Sequence, residues 1–456
     1  MHQQYGPIIR IGPEELHVSD PSFIAPLYTP SPHPSMQNKT PKRYRWTRQV
    51  YSTGFGEASV VSTTDHDLHR LRRKPLEPFF TVAQTRKIQG LIYDKADLLC
   101  KRMKEAAADE EPVKIKLAYS CYTTDVISMY LLGVCFDFLD HPGFNREFSD
   151  TVTQLAKATP ILRPFWWLTS VMEYVPPALH RYLGPGIRAV LAQREETKHH
   201  LAHAKARKLA KEKSATPPTE TTSPTDSPTI IDALLTSSLP PSEKSDFRLR
   251  MEIEILLAAG TETTATCLGA LTVFVLDDQD VHAKLTKELV DAIPDASKLP
   301  PLQVLEKLPY LTGVIREGLR LGFGIYTRIT RMAEEPLPYG PYAIPPLTPV
   351  SMTSGLTHVD PAIWDQPTRF MPERWTDPAE AARLGRYLTA FSKGGRACLG
   401  INLAYAEMYV AVAAVFRRFG RMELCGFGKE DVEEVVADWN LPKFRKTLNE
   451  LSVYIK

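Results

Sequence analysis

The amino-acid sequence predicts a mainly α-helical protein with a small β-rich region, for three reasons. Apolar residues recur with a helical period through most of the chain. Short runs with strand-like alternation occur near both ends. The composition, 43% hydrophobic and 24% charged, provides ample apolar surface for a large core.

Bulk properties exclude several functional classes. The 456 residues carry a formal net charge of +2, so global charge does not indicate a nucleic-acid-binding protein. The six cysteines are scattered, which excludes close-spaced zinc sites and redox pairs and predicts reduced thiols in a cytosol-facing protein. The polar start of the chain does not resemble a signal peptide.

The N-terminal half is expected to begin with strands and to continue as helices. Alternation in Ile8–Val18 predicts one or two strands, and a helical period runs from Asp67 to about Leu155. Arg188–Lys213 has the charge of an exposed basic helix. Three of its histidines could bind a metal, but the surrounding cations favour a solvated face. These histidines are His199, His200 and His203.

Two segments depart from the helical pattern. Pro160–Pro177 is apolar and bounded by prolines, so the simpler interpretation is protein core. The alternative is a lid or a membrane-contacting segment around Ile161–Met172, beside a substrate entrance. Residues 214–229 are rich in Ser, Thr and Pro, which predicts a flexible loop, either an insertion between helices or a domain boundary.

The C-terminal half combines helices with a few strands. Ile253–Leu276 is apolar, but its glutamates and threonines are costly in lipid, so we predict a long helix buried in protein. Further helices are expected to about Leu321, and strand-like segments in Tyr339–Thr353. A last helix is predicted over Leu399–Phe419, followed by strands in the tail.

The most informative stretch is the loop Phe391–Gly400, just before the last predicted helix. Its adjacent glycines, Gly394 and Gly395, permit backbone shapes that leave room for a flat, bulky group. The helix N-terminus offers N–H groups and positive potential, which favour the thiolate of Cys398, the form that binds metals. For an isolated cysteine, a buried structural thiol in a glycine turn would be the alternative.

This loop matches the pattern Phe-x-x-Gly-x-Arg-x-Cys-x-Gly at every fixed position. That pattern is the cysteine-loop signature of the cytochrome P-450 family, which the sequence therefore resembles. The resemblance implies one catalytic domain over residues 1–456, built around a buried haem b with Cys398 as the axial iron ligand. The other loop residues expected at the haem are Phe391, Arg396 and Gly400.

A second segment that resembles the family, Ala259–Thr264, lies inside the long predicted helix. In the family this segment crosses the distal face of the haem, where an acid–alcohol pair delivers protons during oxygen activation. The resemblance assigns these roles to Glu262 and Thr263. Without the family, a glycine and threonines in a buried helix could instead permit close helix packing or a kink.

A third resemblance concerns a structural network. Glu317 and Arg320 share one helix face and can pair. Arg374, in the downstream Phe370–Trp375 segment, completes a Glu-Arg-Arg network in the family, which we expect to support the haem pocket without a role in the chemistry. Spacing alone is weak support, because Glu380-Ala-Ala-Arg383 has it too.

The segment beginning at His69 resembles the helix that binds a haem propionate. Many relatives have tryptophan at this position, but the histidine ring can still donate a hydrogen bond. Arg73 is the stronger candidate, and Arg331 and Arg396 are further ones. The alternative is a solvated basic helix face or a docking patch for an acidic redox partner. That alternative applies to Arg70, Arg72 and Lys74.

The resemblance covers Tyr5 to the C-terminus and is greatest to fungal secondary-metabolite members, including trichodiene-oxygenase-like enzymes. It implies a monooxygenase that hydroxylates or epoxidises a hydrophobic small molecule with O2, such as a terpenoid, polyketide or alkaloid. Gly322–Thr327 would line the pocket. NADPH–cytochrome reductase is the expected electron donor, because the chain contains no visible flavin or nicotinamide motif.

The same resemblance implies a monomer on the cytosolic face of the endoplasmic reticulum membrane, with no nucleic-acid partner. The N-terminal anchor usual in the family is missing from this sequence, so a cytoplasmic protein or a truncated chain is the alternative.

Three other functions compete with a monooxygenase. A haem-thiolate isomerase or dehydratase would need no reductase, but such relatives often lack the acid–alcohol pair. A haem-binding protein without catalysis would not need that pair either. A helical scaffold without a cofactor would contain Cys398 as a core thiol. The presence of Glu262 and Thr263 favours the monooxygenase.

Overall fold

The computed structural model describes residues 1–28, 58–108, 110–162, 184–213 and 229–456, together with Pro176 and Tyr182. Helices dominate these residues, which confirms the predicted mainly α class. The helices are α1 (His2–Tyr5), α2 (Ile24–Tyr28), α3 (His66–Arg73), α4 (Val82–Lys87), α5 (Gln89–Ala106), α6 (Ile115–Leu132), α7 (Arg146–Leu162), α8 (Pro185–Lys213), α9 (Ile230–Thr236), α10 (Asp246–Asp277), α11 (Gln279–Ala292), α12 (Leu302–Leu305), α13 (Pro309–Leu321), α14 (Ser354–His358), α15 (Pro378–Gly385) and α16 (Ile401–Arg418).

Four small sheets accompany the helices in the described part of the chain. The strands are β1 (Ile8–Arg10), β2 (Leu16–Val18), β3 (Ile329–Arg331), β4 (Leu337–Tyr339), β5 (Tyr342–Ile344), β6 (Val350–Met352), β7 (Met422–Cys425), β8 (Val435–Trp439), β9 (Leu441–Phe444) and β10 (Ser452–Ile455). The largest sheet has the order β1-β2-β6-β3, with β2 and β6 parallel. The others are the antiparallel pairs β4–β5, β7–β10 and β8–β9. Strands near both ends of the chain were predicted, and they are confirmed.

Helices α6 and α10 form the centre of the molecule. They pack against each other along most of α6, and nearly every residue of α6 is buried. Helix α10 is the one described helix long and apolar enough to cross a membrane, yet 78% of its most apolar window is buried inside the protein. The prediction that Ile253–Leu276 forms a buried helix is therefore confirmed.

Gly260 sets the separation between these two helices. A Cβ atom at Gly260 would lie 2.7 Å from Cγ1 of Ile127 on α6, closer than real contacts allow. The glycine therefore permits the close helix packing that the sequence left open as an alternative.

Local signals fix the helix boundaries. The Asp65 carboxylate accepts the backbone N–H of Leu68 at 2.9 Å and begins α3. The hydroxyl of Ser245 caps α10 in the same way. Helix α6 ends at Gly133, whose φ of 70° is left-handed and is readily adopted by glycine.

The basic helix predicted over Arg188–Lys213 is confirmed as part of α8. On this helix the Nε2 atoms of His199 and His203 lie 3.2 Å apart, while the His200 ring stacks on Phe136. No third His, Cys, Asp or Glu joins them among the described residues, so the structure adds no support for a metal site here. Residues 163–175 and 214–228 lie outside the described residues, and with them most of the predicted apolar segment and the predicted loop.

Candidate active site

Backbone hydrogen bonds hold the cysteine loop in place. The N–H of Cys398 donates to the carbonyl of Phe391 at 2.9 Å, and the N–H of Ala397 donates to that of Gly394 at 2.9 Å. Gly394 has a φ of 74°, so a glycine suits this position. Helix α16 follows at once, as predicted.

Protein atoms lie densely around Cys398, yet its side chain remains accessible. Enclosure raises the pKa of its thiol, whereas the N–H of Gly400 and the charge of Arg73 lower it. The effect of enclosure is the largest, so the helix N-terminus does not by itself make Cys398 a thiolate, contrary to the expectation from the sequence. A bound metal cation would overcome this cost, because it deprotonates a coordinating thiol.

A short stripe of α10 is also accessible, although most of the helix is buried. Ala259 is exposed and Thr263 is half-buried, on the same face because they are four residues apart. The Thr263 hydroxyl donates to the Ala259 carbonyl at 2.7 Å. The segment around Gly324 lies between α10 and the cysteine loop, since a Cβ at Gly322 would lie 3.6 Å from Cα of Cys267 on α10 and a Cβ at Gly324 would lie 2.9 Å from the carbonyl oxygen of Ala390. We infer that the accessible Cys398 and the accessible stripe of α10 border a common gap.

Four basic side chains cluster beside this gap. Burial, followed by the charges of Arg331 and Arg73, lowers the pKa of Arg396 to about 9, and Asp65 partly offsets them. Burial, followed by the charges of Arg396 and Arg73, lowers the pKa of His69 to about 3, so its ring is neutral. Arg73 also donates to the carbonyl of Ala397 at 3.0 Å. Like charges at close range are unfavourable, and an anion would stabilise them.

These features fit a haem group. An enclosed, accessible thiol can ligate iron, and the basic cluster matches the two propionate carboxylates. The structure thus brings together the residues that the sequence analysis proposed for the cofactor. They are His69, Arg73, Arg331, Phe391, Arg396, Cys398 and Gly400.

Glu262 does not share the environment of Thr263. Its carboxylate accepts a hydrogen bond from the Lys116 ammonium of α6 at 2.5 Å and further ones from the hydroxyls of Ser120 and Ser149. The Lys116 and Glu262 side chains are only 3% and 6% exposed. The two residues of the predicted acid–alcohol pair therefore lie on different faces of α10, one toward the gap and one toward α6 and α7.

The hydrogen bonds around Glu262 continue to the surface. The Lys116 ammonium also donates to Oδ1 of Asn449, at 2.8 Å. Nδ2 of Asn449 in turn donates to Asp150 on α7 at 3.2 Å, and the Asp150 side chain is 46% exposed. Sequence reasoning missed Lys116 and Asn449 because neither belongs to a motif, and both are distant from Glu262 along the chain.

The predicted Glu-Arg-Arg network is present. Arg320 donates to both oxygens of Glu317, at 2.6 and 3.0 Å, and Arg374 donates at 3.0 Å. The Trp375 indole N–H adds a bond at 2.9 Å, so the buried carboxylate is well satisfied. By contrast, Glu380 and Arg383, which have the same spacing, form a pair 41% exposed at each side chain.

His358 connects this network to the cysteine loop, and sequence reasoning did not identify it. Its Nε2 accepts the backbone N–H of Thr389 at 2.9 Å, so Nδ1 carries the proton donated to the carbonyl of Arg320 at 2.8 Å. Burial, followed by the charge of Arg320, lowers the pKa of His358 to about 3. A neutral histidine therefore joins α13 to the chain segment that leads to Cys398.

The basic residues around Arg73 differ in their surroundings. Arg70 and Lys74 are exposed, as predicted for a solvated face. Arg72 departs from that prediction, because it donates to both carboxylate oxygens of Glu243, at 2.6 and 3.0 Å, and its side chain is 12% exposed.

Comparisons with known proteins agree with this geometry. A family model described as cytochrome P-450 matches residues 1–434. Similar proteins include cytochrome P-450 monooxygenase tpcC of Cochliobolus heterostrophus, 39% identical over 95% of this chain and 79% of the relative. N-acetyltryptophan 6-hydroxylase ivoC of Emericella nidulans is 35% identical over 95% of this chain and 81% of its own. Tryptophan 6-hydroxylase fscE of Fusarium equiseti is 35% identical over 92% of this chain and 79% of the relative.

Proposed function

Because this chain belongs to the cytochrome P-450 family and is a haem monooxygenase, we propose that Cys398 is the axial thiolate ligand of its haem b and that residues 1–456 form one catalytic domain. The observation that carries this proposal is the enclosed but accessible Cys398 thiol beside the basic cluster. Of the other cysteines, Cys100, Cys121 and Cys267 are buried, and Cys135 and Cys425 are only partly accessible.

When bound, haem supplies the oxygen activation that inserts one atom of O2 into a substrate C–H bond or alkene. The chain's own residues hold the cofactor. Arg73, Arg331 and Arg396 would bind the propionates by charge-assisted hydrogen bonds, and neutral His69 would add a hydrogen bond. Phe391 and Gly400 shape the loop that presents the Cys398 thiolate.

We assign proton handling to Glu262 and Thr263. The Thr263 hydroxyl lies on the accessible stripe of α10 and can orient water in the gap. Lys116 donates to the Glu262 carboxylate and is itself held by Asn449, which donates to Asp150, so Glu262 is fixed where it can exchange protons with water and pass them toward Thr263. This arrangement also supports a monooxygenase over an isomerase, a dehydratase or a non-catalytic haem protein, none of which requires a supply of protons.

The proposed substrate is a hydrophobic small molecule of fungal secondary metabolism, and we favour one with an aromatic ring. Two relatives are named for hydroxylating tryptophan or its N-acetyl derivative. In this chain, Tyr326 is half-buried in the Gly322–Thr327 segment and offers an aromatic surface with a polar hydroxyl. A terpenoid, polyketide or alkaloid with such a ring would fit a wall of this kind.

The family requires O2, a small-molecule substrate and a redox partner. We propose NADPH–cytochrome reductase as the electron donor, with a docking surface that includes the exposed Arg70 and Lys74. We also propose that the chain acts as a monomer on the cytosolic face of the endoplasmic reticulum, in contact with the membrane through Ile161–Met172. A flotation assay with vesicles tests the contact, which Trp166→Ser/Trp167→Ser is expected to weaken.

The carbon monoxide difference spectrum of the dithionite-reduced protein tests the assignment of Cys398. We expect the strongly red-shifted Soret band of thiolate-ligated haem. Cys398→Ser should abolish that band, whereas Cys425→Ser, at a half-buried thiol of β7, should leave it unchanged. A thiolate band that survives Cys398→Ser would refute the assignment.

A further inference from the structure

Two lysines lie against one tryptophan at the tip of the β8–β9 hairpin. The Lys157 ammonium of α7 lies 5.5 Å from the centroid of the Trp439 ring, and the Lys443 ammonium of β9 lies 5.8 Å from it. Each cation is attracted to the indole face, but the two positive charges repel each other. We name Lys157, Trp439 and Lys443 the hairpin-tip cluster.

The cluster has an excess of positive charge. Among the described residues, neither lysine forms a salt bridge with a carboxylate, and the Lys443 ammonium donates only to neutral oxygens of Thr447 and Arg445, at 3.2 and 3.5 Å. Burial, followed by the charge of Lys157, lowers the pKa of Lys443, and Glu450 only partly offsets them. An anion placed between the two ammonium groups would stabilise this arrangement.

The elements that carry the cluster also contact residues of the candidate active site. The carbonyl of Asn440, next to Trp439, accepts the backbone N–H of Tyr326 at 2.9 Å, which joins the hairpin tip to the segment that borders the gap. Helix α7 supplies both Lys157 and Ser149, and the Ser149 hydroxyl donates to the Glu262 carboxylate at 3.3 Å. A ligand at the cluster would therefore contact elements that reach Tyr326 on one side and Glu262 on the other.

The opposite sides of the hairpin differ in charge. Trp439 and Lys443 share one side of the ladder because Trp439 pairs with Leu441 and Ala437 pairs with Lys443. Asp438 points to the other side, where its charge acts on Tyr326 and Arg328. The acid therefore does not neutralise the lysines, and the side toward α7 remains cationic.

We propose that the hairpin-tip cluster is a substrate subsite that binds the carboxylate of an apolar, ring-containing acid. The two ammonium groups would bind the carboxylate, while Trp439 would pack against the apolar body of the substrate. This proposal deepens the proposed function and rests on it, because it names the charge of the substrate that the monooxygenase takes.

Paired ligands with and without the charge test the subsite. Indole-3-propionate and its methyl ester have the same ring and differ in the carboxylate. Each is titrated into the haem-loaded protein, with binding followed by the shift of the Soret band and by calorimetry. We expect the acid to bind about tenfold more tightly than the ester at low salt, a difference of about 1.4 kcal/mol, because hydrogen bonds to charged groups are stronger than those to neutral ones. High salt should reduce this preference.

Three variants assign the preference to the cluster. Lys157→Met/Lys443→Met should weaken the acid much more than the ester and so remove the preference for the acid. Trp439→Leu should weaken both ligands. The control variant Lys101→Met/Lys104→Met also removes two positive charges, but from exposed positions of α5. It should bind both ligands as the unaltered protein does.

Each contrary result has a distinct meaning. Equal binding of acid and ester, or a preference that survives Lys157→Met/Lys443→Met, would overturn the subsite. Loss of the preference for the acid in the α5 control variant would also overturn the subsite, because the net charge of the protein would then explain the preference. The carbon monoxide spectrum of the same preparations tests the proposed function separately: a thiolate band without acid preference refutes the subsite alone.

Discussion

Lys116 is the residue on which the environment of Glu262 depends. It supplies the cation for a buried carboxylate and is held by Asn449 and Ser149, which it reaches at 2.8 and 3.0 Å. A buried ion pair of this kind is stable only while both partners and their hydrogen bonds are present. Substitutions in the pair can therefore separate its contribution to stability from its contribution to the reaction.

We predict that Lys116→Met destabilises the protein by roughly 3–5 kcal/mol, because it leaves the Glu262 carboxylate buried without its cation. The double variant Lys116→Met/Glu262→Gln should regain much of this loss, since no buried charge remains. Urea unfolding measures both free energies. Equal destabilisation of the single and double variants would show that the ion pair does not account for the effect.

The same variants test how well NADPH consumption is coupled to product formation. With the haem spectrum intact, we expect Lys116→Met and Glu262→Gln both to release more peroxide per NADPH consumed, because protons no longer reach the oxygen site in time. Lys116→Arg keeps the charge and should couple better than Lys116→Met. If all three variants couple as the unaltered protein does, Glu262 has no role in proton delivery.

The basic cluster leads to a prediction about cofactor retention. Arg331 on β3 is 3% exposed and lies within the cluster, whereas Arg70 on α3 is exposed. Arg331→Met should release haem to an acceptor protein about tenfold faster, as expected for the loss of one charge-assisted hydrogen bond of roughly 1.5–3 kcal/mol. Arg70→Met is the matched control and should release haem at the normal rate. Equal rates would remove Arg331 from the cofactor site.

Among the secondary-structure elements, the contact between α6 and α10 is the one most sensitive to side-chain size. Gly260→Ala places a methyl group against the buried Ile127, and we expect a net loss of roughly 1–3 kcal/mol from overpacking. Gly90→Ala in α5 meets nothing within 4 Å and should be neutral or slightly stabilising, through helix propensity. Chemical unfolding of the two variants checks the difference. A neutral Gly260→Ala would show that α10 can shift away from α6.

What the sequence predicted depends on how local each signal is. The loop around Cys398, the helix that carries Glu317 and the buried helix over Ile253–Leu276 follow from short-range patterns, and the structure confirms each element, although α10 begins earlier, at Asp246. Lys116 and His358 carry no such pattern, because their partners are brought to them by tertiary packing. The surroundings of Cys398 show the same limit, since its net pKa shift depends on enclosure by distant elements.

For the whole molecule, buried neutral histidines such as His358 contribute to the response to acid. The pKa of His358 is about 3 in the folded protein, against about 6.5 in the unfolded chain. The unfolded state therefore binds protons first as the pH falls. The contribution of His358 to stability is complete above pH 6.5 and is lost progressively toward pH 3, at up to about 1.4 kcal/mol per pH unit.

We predict that His358→Gln flattens this pH dependence. The variant should be less stable than the unaltered protein at pH 7.5, because a connection between α13 and the cysteine loop is weakened, and the difference should shrink by pH 5. Urea unfolding at several pH values gives the two slopes. Equal slopes for the variant and the unaltered protein would mean that the pKa of His358 does not differ between the folded and unfolded states.

Asn449 follows Cys398 and the arginines around it in the chain, which affects how the protein is made. During translation, Cys398 and the arginines around it leave the ribosome before Asn449 and the strand β10, which pairs with β7 and with Val113. A nascent chain can therefore assemble its cofactor pocket while Lys116 still lacks Asn449 as a partner. Maturation is then expected in two stages, with capture of the cofactor first and completion of the hydrogen bonds around Glu262 only after Asn449 has emerged.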